Sequence, residues 1–365
     1  MNHCIVTETF SKEHTSIIKG VAILLILFHN FFHWIAPMNS MENEFCLNAN
    51  YIHEFFKSFA DSPLEFVNIL FSYLGHYGVE IFIFISGFGL AKSFKKNPKP
   101  WGSFMLARVK KLYPLLLISL LTFFFTRISI YYALPTKEEL TSMLYKLLFI
   151  HTFIPDESMT LDGPLWFFGL IIQLYIFFPL LFKLINKHGL KAFVFISAIS
   201  YLIVYLVLNL IKMPDELYIM QHCFGHFPEF CLGILMARND TVSGNLWFFI
   251  TALVTFVLGN FYSAFFPLTN LSVTYIFFCI FIAAFRRKSK PNIFGKGLVH
   301  IGNISMLLFA THGMFRWQFV CLAKNYNHPL VTIVFALLFF MEAVFVALAA
   351  KPIYNWIVAK LNKRG

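Results

Sequence analysis

Stretches of about 20 apolar residues, the length that crosses a hydrocarbon core roughly 30 Å thick as a helix, recur from Ile17 to Tyr354 with only short breaks. Such a chain belongs in a bilayer, where backbone groups find no water and only helices or closed barrels satisfy them. A barrel needs alternating apolar and polar residues, whereas Phe177 to Ile185 and Leu330 to Phe345 show no such alternation and are apolar apart from Lys183, Thr332 and Glu342. The expected fold is therefore an all-α integral membrane protein. Composition agrees: of 365 residues 58% are hydrophobic and 13% charged, too little polar surface to wrap a water-soluble core of this size.

Apolar windows place about ten transmembrane helices near 17–36, 66–91, 104–126, 164–185, 190–210, 217–237, 245–264, 268–285, 298–322 and 329–351. A shorter stretch, Met143 to Ile154, is half a span long and reads as one short re-entrant or interfacial helix. Loop charges orient the set. The segment Lys92 to Lys111 carries Lys92, Lys95, Lys96, Lys99, Arg108, Lys110 and Lys111 with no acid, which places it in the cytoplasm. The loop before it, Pro37 to Glu65, holds Glu42, Glu44, Glu54, Asp61 and Glu65 against Lys57 alone, and falls outside. Alternation then puts Lys183, Lys187 and Lys191 inside, followed by Arg286, Arg287, Lys288, Lys290 and Lys296, and finally Lys351, Lys360, Lys363 and Arg364. Both termini are expected in the cytoplasm. With no soluble domain, repeat or low-complexity linker, 1–365 reads as a single membrane domain.

A net charge of +11 raises the question of nucleic acid, but the basic residues gather in particular loops instead of interleaving with aromatics. Most of the 48 Phe residues are expected to face lipid or pack helices. The six cysteines occur singly, without zinc or disulfide spacing. The first apolar run lacks a small-residue cleavage site and reads as a retained span, not a signal peptide.

Inside hydrocarbon an ionisable side chain costs several kcal/mol unless it meets a partner or water, so such residues are informative. Lys19 lies near the cytoplasmic end of the first span and His29 in its outer half, roughly 15 Å further along the axis. His29 and His33 share a helical face, but as a metal pair they lack the Glu and the further acidic or His ligand of a zinc motif, so no metal is expected. His29 reads either as a packed core histidine or as a general base, because an imidazole titrates near neutrality and can accept a hydroxyl proton. Glu80, in Gly78-Val79-Glu80-Ile81-Phe82, needs a partner; structural pairing and a direct role are equally open. Arg108, Lys110 and Lys111, before Tyr113-Pro114, read as topogenic charge or as a phosphate-binding cluster. No Gly-rich phosphate loop accompanies them. Trp166, Gln173, His222, His226, Glu229 and His312 are weaker candidates, with His312 placed to share a cavity with His29.

The ordered set resembles the acyltransferase-3 family of integral membrane O-acyltransferases. Lys19-Gly20-Val21-Ala22-Ile23-Leu24-Leu25 to His29 is similar to its opening helix, and Gly78 to Phe82 with Ser86-Gly87-Phe88 to its second-helix signature. Arg108, Lys111 and Pro114 fit its basic motif, Leu165-Trp166 to Tyr175 its middle motif, and Phe309 to His312 its late motif. Two positions depart: Lys19 stands where many members carry Arg, and Ile171 where many carry Glu, which suggests a sugar or polysaccharide O-acetylase branch.

The resemblance implies transfer of an acyl group, most often acetyl, from cytoplasmic acyl-CoA to a hydroxyl of an extracytoplasmic or lipid-linked glycan at a cell membrane, bacterial by implication. No cofactor is implied beyond the acyl-CoA donor, bound through Lys19, Arg108, Lys110 and Lys111. His29 would serve as base or covalent relay, with Glu80 and His312 orienting it or the acceptor. Membrane lipids are the remaining expected partners; nucleic acid is not one, and homo-oligomerisation is left open. The rival readings are a glycan or lipid-linked sugar exporter, since intramembrane charges also mark transport pathways, and a non-catalytic receptor or scaffold.

Overall fold

A computed structural model of the protein describes residues 4–211, 217–239, 241–285 and 292–363. The expected loop residues Arg286, Arg287, Lys288 and Lys290, and Arg364 at the end, lie outside the described residues. In chain order the elements are β1 (Cys4–Thr9), α1 (Lys12–Phe32), α2 (Ala49–Asp61), α3 (Phe66–Leu74), α4 (Gly78–Lys96), α5 (Trp101–Ser129), α6 (Lys137–Leu147), α7 (Trp166–His188) and α8 (Leu190–Leu206). They continue as α9 (Cys223–Met236), β2 (Thr241–Asn245), α10 (Leu246–Gly259), α11 (Thr269–Phe285), α12 (Ile293–Thr311), α13 (Arg316–Tyr326) and α14 (Pro329–Lys363). The two strands pair antiparallel in a small ribbon; among the described residues everything else of regular structure is helical, as the hydropathy requires.

Among the described residues, eight helical segments are long and apolar enough to cross a membrane. The segments expected as sixth and seventh spans form α9 and α10, each 14 residues, about 21 Å long and short of the hydrocarbon thickness. Two of the eight are broken. A 3-10 turn at Gly75–Tyr77 separates α3 from α4, and another at His312–Phe315 separates α12 from α13. The half-span expected over 143–154 begins earlier instead, at α6. There Thr136 and Glu139 form a reciprocal cap, which satisfies the orphan N–H groups of the first turn and fixes the start.

Loops expected on one side of the membrane meet at one end of the bundle. Lys92 Nζ donates to the Asn239 carbonyl (2.7 Å), Lys95 Nζ to that of Arg238 (3.1 Å), and Arg238 to that of Asn186 (3.3 Å). The acidic loops gather at the other, where His33 meets Glu42 (3.0 Å) and Arg316 meets Asp162 (3.8 Å).

At the centre α1 packs chiefly on α12 and α4, and α4 on α9. The α1–α12 contact is backbone on backbone: a Cβ on Gly302 would strike the Ser16 carbonyl, and one on Gly20 the Leu298 carbonyl. Without a solvent to drive burial, such close approach is what holds membrane helices together. Phe31, Phe84, Phe168, Phe178, Phe230, Phe278 and Phe339 fill the interior, while Phe125, Phe195 and Phe345 project from the bundle.

Candidate active site

His29 sits one turn from the end of α1 and is 5% exposed. Its Nδ1–H donates to the carbonyls of Phe71 (3.2 Å) and Ser72 (3.1 Å) at the end of α3. Those carbonyls lie at the end of α3, just before the 3-10 turn; the Phe71 carbonyl also accepts the Gly75 N–H, and the histidine adds a donor at this helix end. The bond assigns the proton to Nδ1 and leaves the Nε2 lone pair for chemistry. Gly75 permits this approach, because a Cβ there would lie 2.6 Å from the His29 Cβ.

His29 lines a cavity of about 260 Å³ together with His33, His76, Glu42, Glu44, Trp166, Phe309 and Arg316. Burial pushes the Glu44 carboxyl well above the ordinary range, and the charges of Glu42 and Glu80 add to that. Arg316 closes one wall: its Nη1 donates to Asn30 Oδ1 (2.8 Å), and its Nη2 lies 3.8 Å from Asp162 Oδ1. Asp162 in turn packs against Gly313, where no Cβ would fit. Lys146, wholly buried, pins the preceding loop by donating to the carbonyls of Glu157 (3.0 Å) and Ser158 (3.3 Å).

Burial pushes the Asp162 carboxyl up to about 6, against the pull of Arg316 and Lys146. The folded protein thus holds this proton more tightly than the unfolded chain. The stabilisation is complete below about pH 4, the ordinary Asp value, and is lost as pH rises through about 6. Between pH 4 and 7 the native protein is expected to lose up to about 3 kcal/mol relative to Asp162→Asn. Thermal unfolding in detergent across that range checks it; parallel profiles would show that Arg316 keeps the carboxyl ionised.

A second cavity, of about 430 Å³, is lined by Lys19, Arg108, Lys111, Ser86, Phe167, Tyr175 and Met306, among others. It brings together three of the four expected donor-binding residues. Lys110, one position from Lys111, is not among its lining residues, since neighbours on a helix point about 100° apart. Adjacent aromatic residues line the two cavities. Trp166 lines the first and Phe167 the second; Phe309 of the first lies 4.9 Å from Phe167, ring centre to ring centre. Trp166, Phe167 and Phe309 thus form an aromatic layer between residues of the two cavities.

Glu80 and His312 are placed differently from the expectation that they orient His29. Neither is among the residues lining the His29 cavity. Glu80, 3% exposed on α4, faces the buried His226–Glu229 pair of α9, whose Nδ1 and Oε1 are 3.6 Å apart. His312 turns its Nδ1–H back to the carbonyls of Leu308 and Phe309 (both 3.1 Å), while its Nε2 is buried without a hydrogen-bond partner and its ring lies 6.0 Å from that of Phe309. Gln173 is structural, donating to Thr152 Oγ1 (3.1 Å) and accepting from the Cys223 N–H (3.2 Å). Cys46, Cys223, Cys231, Cys279 and Cys321 are free thiols. Larger cavities of about 550 and 650 Å³ are mostly apolar; the second is lined by the weaker candidates Gln173 and His222, and neither holds His29, Glu80, His312 or the expected donor-binding residues.

No curated protein and no solved structure matches the chain. The family model described as an acyltransferase domain, acyltransferase-3, matches residues 16–351, nearly the whole chain. The protein therefore belongs to the acyltransferase-3 family and is a membrane acyltransferase.

Proposed function

We propose that the protein moves an acetyl group from cytoplasmic acetyl-CoA to a hydroxyl of an extracytoplasmic or lipid-linked glycan, with the basic loops and both termini in the cytoplasm of a bacterial cell. One observation carries the reading: a cavity lined by the basic residues Lys19, Arg108 and Lys111 and a cavity lined by His29 meet the same aromatic layer of Trp166, Phe167 and Phe309. Lys and Arg side chains hold the CoA phosphates by charge-assisted hydrogen bonds. The thioester, carried on the flexible arm of CoA, passes the aromatic layer toward His29. Nε2 of His29 takes the proton of the acceptor hydroxyl, whose oxygen attacks the thioester carbonyl. The C–S bond breaks, the ester C–O bond forms, and the proton passes to the departing thiolate. Glu80 and His312 support the packing around this path without touching the acceptor.

The broken helices at Gly75–Tyr77 and His312–Phe315 also suit an exporter, because interrupted spans build transporter sites. The two readings part on the donor. CoA at a hundredfold excess over its dissociation constant is expected to stabilise the purified protein by about 2.7 kcal/mol. Surface glycans of cells carrying the native protein are expected to gain acetyl-sized mass. Absence of both effects would favour the exporter.

A further inference from the structure

The cavity around His29 holds more metal-ligating groups than proton transfer requires. His33, four residues on along the same face of the chain, places its ring 5.1 Å from that of His29, centre to centre. The loop after α1 folds back to bring Glu42 Oε2 within 3.0 Å of His33 Nδ1. It is held there by its own bonds: the Ser40 N–H donates to the His33 carbonyl (2.6 Å), and Asn43 links to both the Asn48 N–H (2.9 Å) and the Tyr73 hydroxyl (3.3 Å).

His33 Nδ1 and Glu42 Oε2 are both buried and make no hydrogen bond, despite their proximity. One ligand atom from each of His29, His33 and Glu42 falls within 4.8 Å of the others. A shift of about 1 Å would bring all three onto one ion at the usual zinc distances near 2.1 Å. The hydrogen bonds from His29 Nδ1 to backbone carbonyls are also what metal-bound histidines make. They orient the ring and leave Nε2 to ligate. His76, with both ring nitrogens unpartnered, lies 5.6 Å from His29 between ring centres and lines the same cavity.

We propose that His29, His33 and Glu42 form a binding site for a divalent zinc-class ion, and that the filled site withholds the His29 Nε2 lone pair from acyl transfer. Two imidazoles and one carboxylate beside an open cavity are a donor set that zinc favours. The inhibitory half rests on His29 acting as base; the binding half does not.

The test uses the full-length protein in detergent, stripped with a chelator and titrated with Co²⁺ and then Zn²⁺. Expected is a single Co²⁺ per chain with visible d–d absorption, displaced by Zn²⁺. His33→Ala and the isosteric Glu42→Gln should each weaken binding about tenfold or more, with both variants checked for native elution and unfolding temperature. No stoichiometric binding, or binding indifferent to Glu42→Gln in a native-like protein, overturns the site. Zn²⁺ saturation should also suppress transfer from acetyl-CoA, with recovery on chelation; full transfer at saturation overturns Nε2 ligation. If no transfer is seen in either state, the acetylation reading fails, while the metal titration still decides the site.

Discussion

His29→Gln is expected to slow acyl transfer by about 10²–10⁴-fold, the range that a positioned general base supplies. Glutamine keeps a polar group near the Phe71 and Ser72 carbonyls but offers no basic nitrogen. The packing of α1 against Gly75 and Gly78 is backbone and Cβ contact, so the bundle should survive the change. The donor cavity lies beyond the aromatic layer and shares no lining residue with the His29 cavity. Stabilisation of the variant by CoA should therefore match that of the native protein. Initial rates with acetyl-CoA, beside thermal unfolding with and without CoA, separate the two effects. A variant that retains transfer within about threefold places the base elsewhere; one that loses CoA stabilisation as well has lost the fold around the donor.

The membrane fold was legible because hydropathy over 20 residues is a collective signal that single substitutions scarcely disturb. It weakened where the helices shortened: α9 and α10 follow apolar windows longer than themselves, because composition does not say where a helix stops. The capping pair Thr136 and Glu139 was readable as a helix start, yet an apolar window centred near 143–154 passed over it. Lys19 and His29 emerged from the rule that ionisable groups in hydrocarbon are functional. The same rule applied to Arg316, within the expected 298–322 span, would have found the residue that joins α1 to the Asp162 loop.

Glu42 is a different case. Its approach to His33 depends on a loop reversal held by Ser40 and Asn43, and no periodicity in the chain announces such a return. The sequence motif around His29 and His33 offers no third ligand; Glu42 comes near them only through the fold. His312 illustrates the reverse. Its position along the span suggested a shared cavity, but helix rotation turns its ring toward its own backbone, a choice that depth alone does not determine.

Charge reversal at the donor cavity has the second large expected effect. In the combined variant Arg108→Glu and Lys111→Glu, KM for acetyl-CoA is expected to rise about 10²-fold or more, because each charge-assisted hydrogen bond contributes roughly 1.5–3 kcal/mol and the new carboxylates repel phosphate besides. Rate at saturating donor should fall far less, since His29 and the aromatic layer are untouched and the lost contacts bind ground and transition states alike. Stabilisation by CoA should disappear in step with KM. Lys110→Glu is the control that geometry supplies: it changes the same charge on the same helix, but lies outside the cavity, so KM should move less than about threefold. Equal effects at Lys110 and Lys111 would mean that the basic cluster acts through its overall field instead of contact. Donor recognition would then lie at the membrane surface, and the cavity that Lys19 shares with Arg108 and Lys111 would have to serve something other than CoA phosphates.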